Sequence, residues 1–196
     1  MKQEEIFKLA ELFCGPGGLS LGAMTAVVIS PKGKTYKIKP IWANDIDEDA
    51  CKTYARNIHG GDLTNVVCAP VETIDFKKVP AFDVLAFGFP CNDFSIVGKQ
   101  RGFNGKYGPL YTYGVKAIDA HNPKWFIAEN VSGLQSANNG SAFTKILEDL
   151  ENAGQGYRLT AHLYKFEEYG VPQTRHRVVI IGIRKDLGLE FKVPAP

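Results

Sequence analysis

Short apolar runs alternate along the chain with segments whose apolar residues recur at helical spacing. Ile6 to Phe13 is an apolar-rich run that stops at Cys14-Gly15-Pro16-Gly17-Gly18, and Leu19 to Ile29 then reads as a helix, giving strand, glycine turn, helix. Pro40 to Asn44 reads as a second strand, and Asp47 follows as the N-cap of a helix carrying Ala50, Tyr54 and Ile58 at helical spacing. Val66 to Ala69 is a weak third strand. Asp83 to Phe87 and Trp125 to Ala128 are short buried strands, the first running into Gly88-Phe89-Pro90-Cys91 and the second into Glu129-Asn130. Leu110 to Ala120 has helical character. Ser141 to Ala153 reads as a helix with Ser141 as its cap and Gly154 as its stop. Tyr157 to Tyr164 and Arg177 to Ile183 are the last two strands. Parallel neighbours need a crossover, usually a helix, so this order predicts an α/β fold: a doubly wound, mostly parallel sheet with ligands at the carboxyl ends of its strands.

Composition changes that picture only by exclusion. A chain of 196 residues, 44% hydrophobic and 22% charged, can bury a sizeable core and is neither disordered nor collagen-like. Its formal charge of +2 sets up no whole-protein field, so any nucleic-acid site must be a local patch. The longest apolar stretches fall far short of the roughly 20 residues of a membrane span. The N-terminus does not read as a secretory signal. Cys14, Cys51, Cys68 and Cys91 form no CxxC pair and no metal-like spacing with the histidines, so no metal is expected. Reduced thiols and a cytoplasmic location, nucleoid-associated in a prokaryote, are the expectation.

Candidate chemistry gathers at two sets of strand ends. Gly15, Gly17 and Gly18, between a strand and a helix, allow close backbone approach to a ligand, though an ordinary strand-to-helix turn would use the same residues. Asp45, ending the next strand, is placed to accept from both hydroxyls of a ribose, and Asp62 with Leu63 offers an acceptor for an adenine amino group. Asp45 lies further along than the usual spacing, which an inserted turn over Lys32 to Lys37 would explain. With no GxxxxGK[ST] lysine, a nucleoside lacking a polyphosphate fits best. Cys91 follows Pro90 just past a central strand, as a nucleophile or a buried structural thiol. From Phe94 to Ile118 the bases Lys99, Arg101, Lys106 and Lys116 are met by one acid-free stretch, which suits a phosphate backbone or a solvated loop. Glu129 could bond a substrate ring nitrogen or cap a helix. Arg175 and Arg177, spaced by two, could hold Glu129 and the substrate or form a plain cross-strand pair.

The ordered set resembles the DNA cytosine-5 methyltransferases. Phe13-Cys14-Gly15-Pro16-Gly17-Gly18 is similar to their cofactor loop, Gly88-Phe89-Pro90-Cys91 with Phe94-Ser95 to their nucleophile motif, Glu129-Asn130-Val131 to their Glu-Asn-Val motif, and Gln173, Arg175 and Arg177 to their Gln-x-Arg-x-Arg motif. The resemblance runs from about Leu9 to the C-terminus. It implies an S-adenosylmethionine-dependent, Rossmann-like fold, with S-adenosylmethionine as cofactor and double-stranded DNA with a flipped cytosine as partner. It implies catalysis by Cys91, Glu129, Arg175 and Arg177; cofactor contacts from Phe13, Gly15, Gly17, Gly18, Asp45, Ile46, Asp62, Leu63, Pro90 and Leu110; and DNA contacts from Ser95, Lys99, Gln100 and Arg101. Asn92 stands where the family nearly always has Gln, and Gly108-Pro109-Leu110-Tyr111 is a variant of the usual segment. Residues 1–190 are expected to be the catalytic domain and 191–196 the start of a linker, since family members continue into a target recognition domain. The alternatives are a catalytic subunit needing a partner chain, and a transfer-RNA cytosine-5 methyltransferase.

Overall fold

The first apolar run forms strand β1 (Glu4–Leu12), flanked on both sides by parallel neighbours, β3 (Thr35–Asp45) and β5 (Val84–Phe87). The computed structural model describes residues 4–90 and 110–196, which fall into two compact units, Met1–Phe87 and Gly88–Pro196. In the first unit the sheet runs β2 (Val27–Ile29), β3, β1, β5, and β4 (Val66–Cys68) pairs in parallel with the last three residues of β3. Pro40 has no N–H to give the ladder, and the register slips there: Leu9 faces Pro40 but Ala10 faces Trp42.

One expectation fails in this unit. The helix after the glycine turn, α1 (Gly18–Thr25), stops short, and Val27–Ile29 forms β2, antiparallel to β3. Three consecutive β-branched residues lose rotamer freedom in a helix and fit a strand. A turn from Ser30 to Lys34 joins β2 to β3, so the expected insertion is a β-hairpin whose turn lies earlier than Lys32 to Lys37, with Thr35 to Lys37 already paired in β3. Helix α2 (Glu48–His59) starts where expected, with the Asp47 carboxylate accepting from Ala50 N at 2.7 Å. Its Cys51, Tyr54, Ala55 and Ile58 close a core with Cys14, Ala43 and Val66.

The second unit holds α3 (Tyr111–His121), β6 (Trp125–Val131), α4 (Ser141–Asn152), β7 (Tyr157–Lys165) and β8 (His176–Arg184). Here β8 lies between β6 and β7 and is antiparallel to both, so the sheet is mixed and not mostly parallel throughout. The cause is legible: no α-helix separates β7 from β8, and such neighbours join by a reversing loop. Phe126, Ala128, Val178 and Ile180 are buried, as are Ala142, Ile146 and Leu150 of α4. Gly182 is required at this face, because a Cβ there would stand 2.2 Å from the Phe126 ring. The cap of α4 is Gly140, in the left-handed region at φ 85°, and not Ser141, which is the first helical residue. Among the described residues no helix is long and apolar enough to cross a membrane.

Candidate functional site

Two clusters of the expected residues form, one in each unit. In the first, β1 ends at Leu12 in register with Asn44, and the chain turns through three positive-φ residues, Phe13 (φ 55°), Gly15 (φ 50°) and Gly17 (φ 96°), into α1. Gly17 could be nothing larger without strain: a Cβ would sit 3.1 Å from Tyr54 and from Ile58. Asp45 ties the turn to β3, its Oδ2 accepting from Gly15 N at 2.8 Å while Oδ1 accepts from Asp47 N at 3.0 Å. Each oxygen keeps further acceptor capacity. Ile46, next along, is 69% exposed, an apolar side chain at the strand end where a ring could lie. Asn57 of α2 donates to Pro16 O at 2.9 Å.

Asp62 and Leu63 are placed differently. The register sets Cys68 beside Asp45 at the carboxyl end of β4, and Asn44 Nδ2 binds Val67 O and Ala69 O there, at 2.8 and 2.9 Å. Asp62 and Leu63 lie on the loop that enters β4, where Asp62 Oδ1 accepts from the Thr64 amide and hydroxyl at 2.8 and 2.6 Å. These Thr64 bonds hold the Asp62 carboxyl below its ordinary range.

The second cluster centres on Glu129 in β6. Arg177 on the neighbouring β8 brings its Nε to 2.9 Å from Glu129 Oε1, and Arg175 Nη2 lies 3.6 Å from the same atom. The expected pair of arginines on one carboxylate is therefore present. Arg177 is steadied by donating from Nη1 to His176 O at 2.8 Å. Asn130, 2% exposed, donates to Phe89 O at 3.2 Å, and its Oδ1 accepts from Val131 N at 2.8 Å. The residues leading to Cys91 are thus pinned to the strand that carries Glu129, and a Cβ on Gly88 would touch Glu129 Oε2 at 3.4 Å. Pro90 and Leu110 belong to this unit, Leu110 buried at the start of α3. Cys91, Ser95, Lys99, Gln100 and Arg101, with Asn92, lie outside the described residues.

Several contacts escaped the sequence. Glu167, in the loop between β7 and β8, accepts from Arg175 N at 3.2 Å and meets His176 Nε2 at 2.6 Å, anchoring the segment that presents the arginines. Its own backbone N–H and then His176 keep this carboxyl below the usual range. Glu11 was also missed, although an acid among Leu9, Ala10 and Leu12 breaks the apolar run and could have been noticed. It is 2% exposed and accepts from the Ser20 hydroxyl.

The family model for C-5 cytosine-specific DNA methylase matches residues 7–196. The chain belongs to this family. It is 56% identical over 196 residues to the Type II methyltransferase M.BbvI of Brevibacillus brevis, covering 97% of this chain and 52% of that protein. It is 40% identical over 191 residues to M.NgoFVII of Neisseria gonorrhoeae, covering 96% of this chain and 47% of that one. This C-5 methylase chain therefore spans about half the length of the curated relatives it matches. Among solved structures, the methyltransferase EhMeth of Entamoeba histolytica matches at a TM-score of 0.70 and 20% identity, over 98% of this chain and 57% of that chain, a likeness of fold.

Proposed function

We propose that the whole protein transfers a methyl group from S-adenosylmethionine to carbon 5 of cytosine in double-stranded DNA, through a covalent adduct with Cys91. The observation that carries this reading is Glu129 under Arg177, 2.9 Å apart, on a strand whose next residue, Asn130, holds the segment leading to Cys91. Carbon 5 of cytosine is a poor nucleophile, and a base inside the stack is out of reach, so the substrate is a flipped-out cytosine. The Cys91 thiolate adds to carbon 6, and the electron pair of the 5,6 double bond moves to carbon 5. Glu129 engages ring nitrogen 3 and the exocyclic amine, while Arg177 and Arg175 fix its orientation. After methylation, loss of the carbon 5 proton returns an electron pair to the ring and expels the thiolate.

S-adenosylmethionine, when bound, would supply the electrophilic methyl group, the broken carbon–sulfur bond leaving its pair on sulfur as S-adenosylhomocysteine. The residues that fit it are the glycine turn with Phe13, Gly15, Gly17 and Gly18, the Asp45 carboxylate for the ribose, and the exposed Ile46 for the adenine face. Asp62, Leu63, Pro90 and Leu110 join this set by resemblance. Ser95, Lys99, Gln100 and Arg101 are assigned to DNA contact in the same way. Target recognition then falls to residues beyond this catalytic portion or to a second chain, and the Type II names of the relatives favour a restriction–modification role.

The test is tritiated methyl transfer by the full-length protein, alone and with candidate partner chains, to duplex DNA and to transfer RNA. Label in carbon 5 of DNA cytosine, lost in Cys91→Ala with S-adenosylmethionine affinity nearly intact, is the expected result. Label in transfer RNA alone, or turnover retained without Cys91, would overturn it.

A further inference from the structure

Among the described residues Glu11 is the one buried acid, and no buried base accompanies it. It sits in β1 opposite Ala43 of β3 and Ala86 of β5, neither of which can answer its charge. Its partner comes from α1: Ser20, fully buried, donates its hydroxyl to Glu11 Oε2. Ser20 Oγ is in turn 2.7 Å from the Tyr54 hydroxyl on α2, also fully buried. Ser20 has one hydroxyl proton, already given to Glu11, so Tyr54 is the donor in the second bond. The chain of donors runs Tyr54 to Ser20 to Glu11 and joins α2, α1 and β1. Its far end is a floor, since the Tyr54 ring is what a Cβ on Gly17 would meet at 3.1 Å.

We propose that Glu11 is a positioning residue of the glycine turn, holding the Tyr54 ring under Gly17 through the Ser20 hydroxyl. Its bearing on catalysis rests on the reading of that turn as the cofactor loop; the hydrogen-bond chain does not. Protonation reverses the chain. A neutral Glu11 donates to Ser20, Ser20 turns its proton toward Tyr54, and the Tyr54 hydroxyl loses its acceptor in a place water does not reach. Burial pushes the Glu11 carboxyl up to about 7, against the pull of Ser20 and with a smaller push from Asp45, so the reversal falls in the neutral range. Among the described residues the other titratable groups around this chain are Cys14, raised by burial and by Glu11, Cys51 of the same core, raised by burial, and His59, whose ring lies 5.8 Å from that of Tyr54 and which burial holds below its ordinary value.

The experiment is a cofactor-free magnetic resonance titration of the full-length protein, labelled on glycine and serine nitrogen, from about pH 5.5 to 8.5, a range centred on the Glu11 value of about 7. Expected are Gly17 and Gly18 amide shifts with a midpoint near 7 that vanish in Glu11→Gln. In Tyr54→Phe the Gly17 titration is lost while the Ser20 amide still titrates. Flat wild-type glycine amides overturn the proposal. So does a titration that survives Glu11→Gln, which belongs to His59, or an unchanged Gly17 response in Tyr54→Phe. Should Glu11→Gln fail to fold, Tyr54→Phe carries the comparison. S-adenosylmethionine calorimetry is read separately: no binding at any pH sinks the cofactor reading, while the titration still decides the role of Glu11.

Discussion

Arg177 and Arg175 hold the same carboxylate unequally, and that inequality is measurable. Arg177 is 22% exposed with its Nε 2.9 Å from Glu129, whereas Arg175 is 44% exposed and at 3.6 Å. A charge-assisted bond between partly buried groups is worth roughly 1.5–3 kcal/mol, or about 10- to 100-fold in rate, and an exposed pair about 1 kcal/mol or less. Single-turnover methyl transfer is therefore expected to fall about 10- to 100-fold in Arg177→Ala and less than about 10-fold in Arg175→Ala; equal losses would mean the two arginines share the task. Glu11 gives a stability prediction of opposite sign to the usual carboxylate. Its pKa is raised in the fold, from 4.5 to about 7, so the folded state binds more protons than the unfolded one across that window. Stability is fully favoured below the lower value and falls as pH rises toward the upper one, by about 3 kcal/mol in all. Denaturant unfolding of wild type and Glu11→Gln between these limits checks it: wild type loses stability relative to Glu11→Gln as pH rises if the assignment holds, and the difference stays constant if Glu11 is charged throughout. The pairing of Glu129 with both arginines was readable from spacing by two. Glu11 was not, because an acid in a strand announces itself only as a break in the apolar pattern, and its partners come from helices that the fold brings over it.

Among the elements of the second unit, β8 has a tightly constrained position at Gly182. Gly182→Ala drives a methyl into the buried Phe126 ring at 2.2 Å. Overpacking of this kind costs about 1–3 kcal/mol, and relieving it by Phe126→Leu recovers part of that cost. Thermal unfolding of the two single variants and the double checks this, and additive losses would place the strain elsewhere. The order of strands and helices was legible nearly throughout, including the Asp47 cap. What sequence periodicity could not resolve was short and local. Val27–Ile29 continues the apolar pattern of α1, although β-branching makes the segment a strand. Strand direction in the second unit followed from what lies between β7 and β8, a loop closed by Phe166 N on Arg175 O at 3.0 Å, and not from the composition of either strand.

At the scale of the whole molecule, the charge of +2 is an average that conceals where the basic residues lie, and the family is decided by the match over residues 7–196. The proposed chemistry turns on the covalent step at Cys91, and this chain spans about half the length of its relatives. A DNA duplex carrying 5-fluorocytosine at the target base tests it most directly, because carbon 5 then has no proton to lose and the thiolate cannot be expelled after methylation. The full-length protein is incubated with this duplex and S-adenosylmethionine, and the denatured product is digested and sequenced by mass spectrometry. A stable adduct between Cys91 and carbon 6 of a methylated base is expected, absent in Cys91→Ala. An adduct on another residue, or no adduct while unmodified cytosine is still methylated at carbon 5, would contradict it.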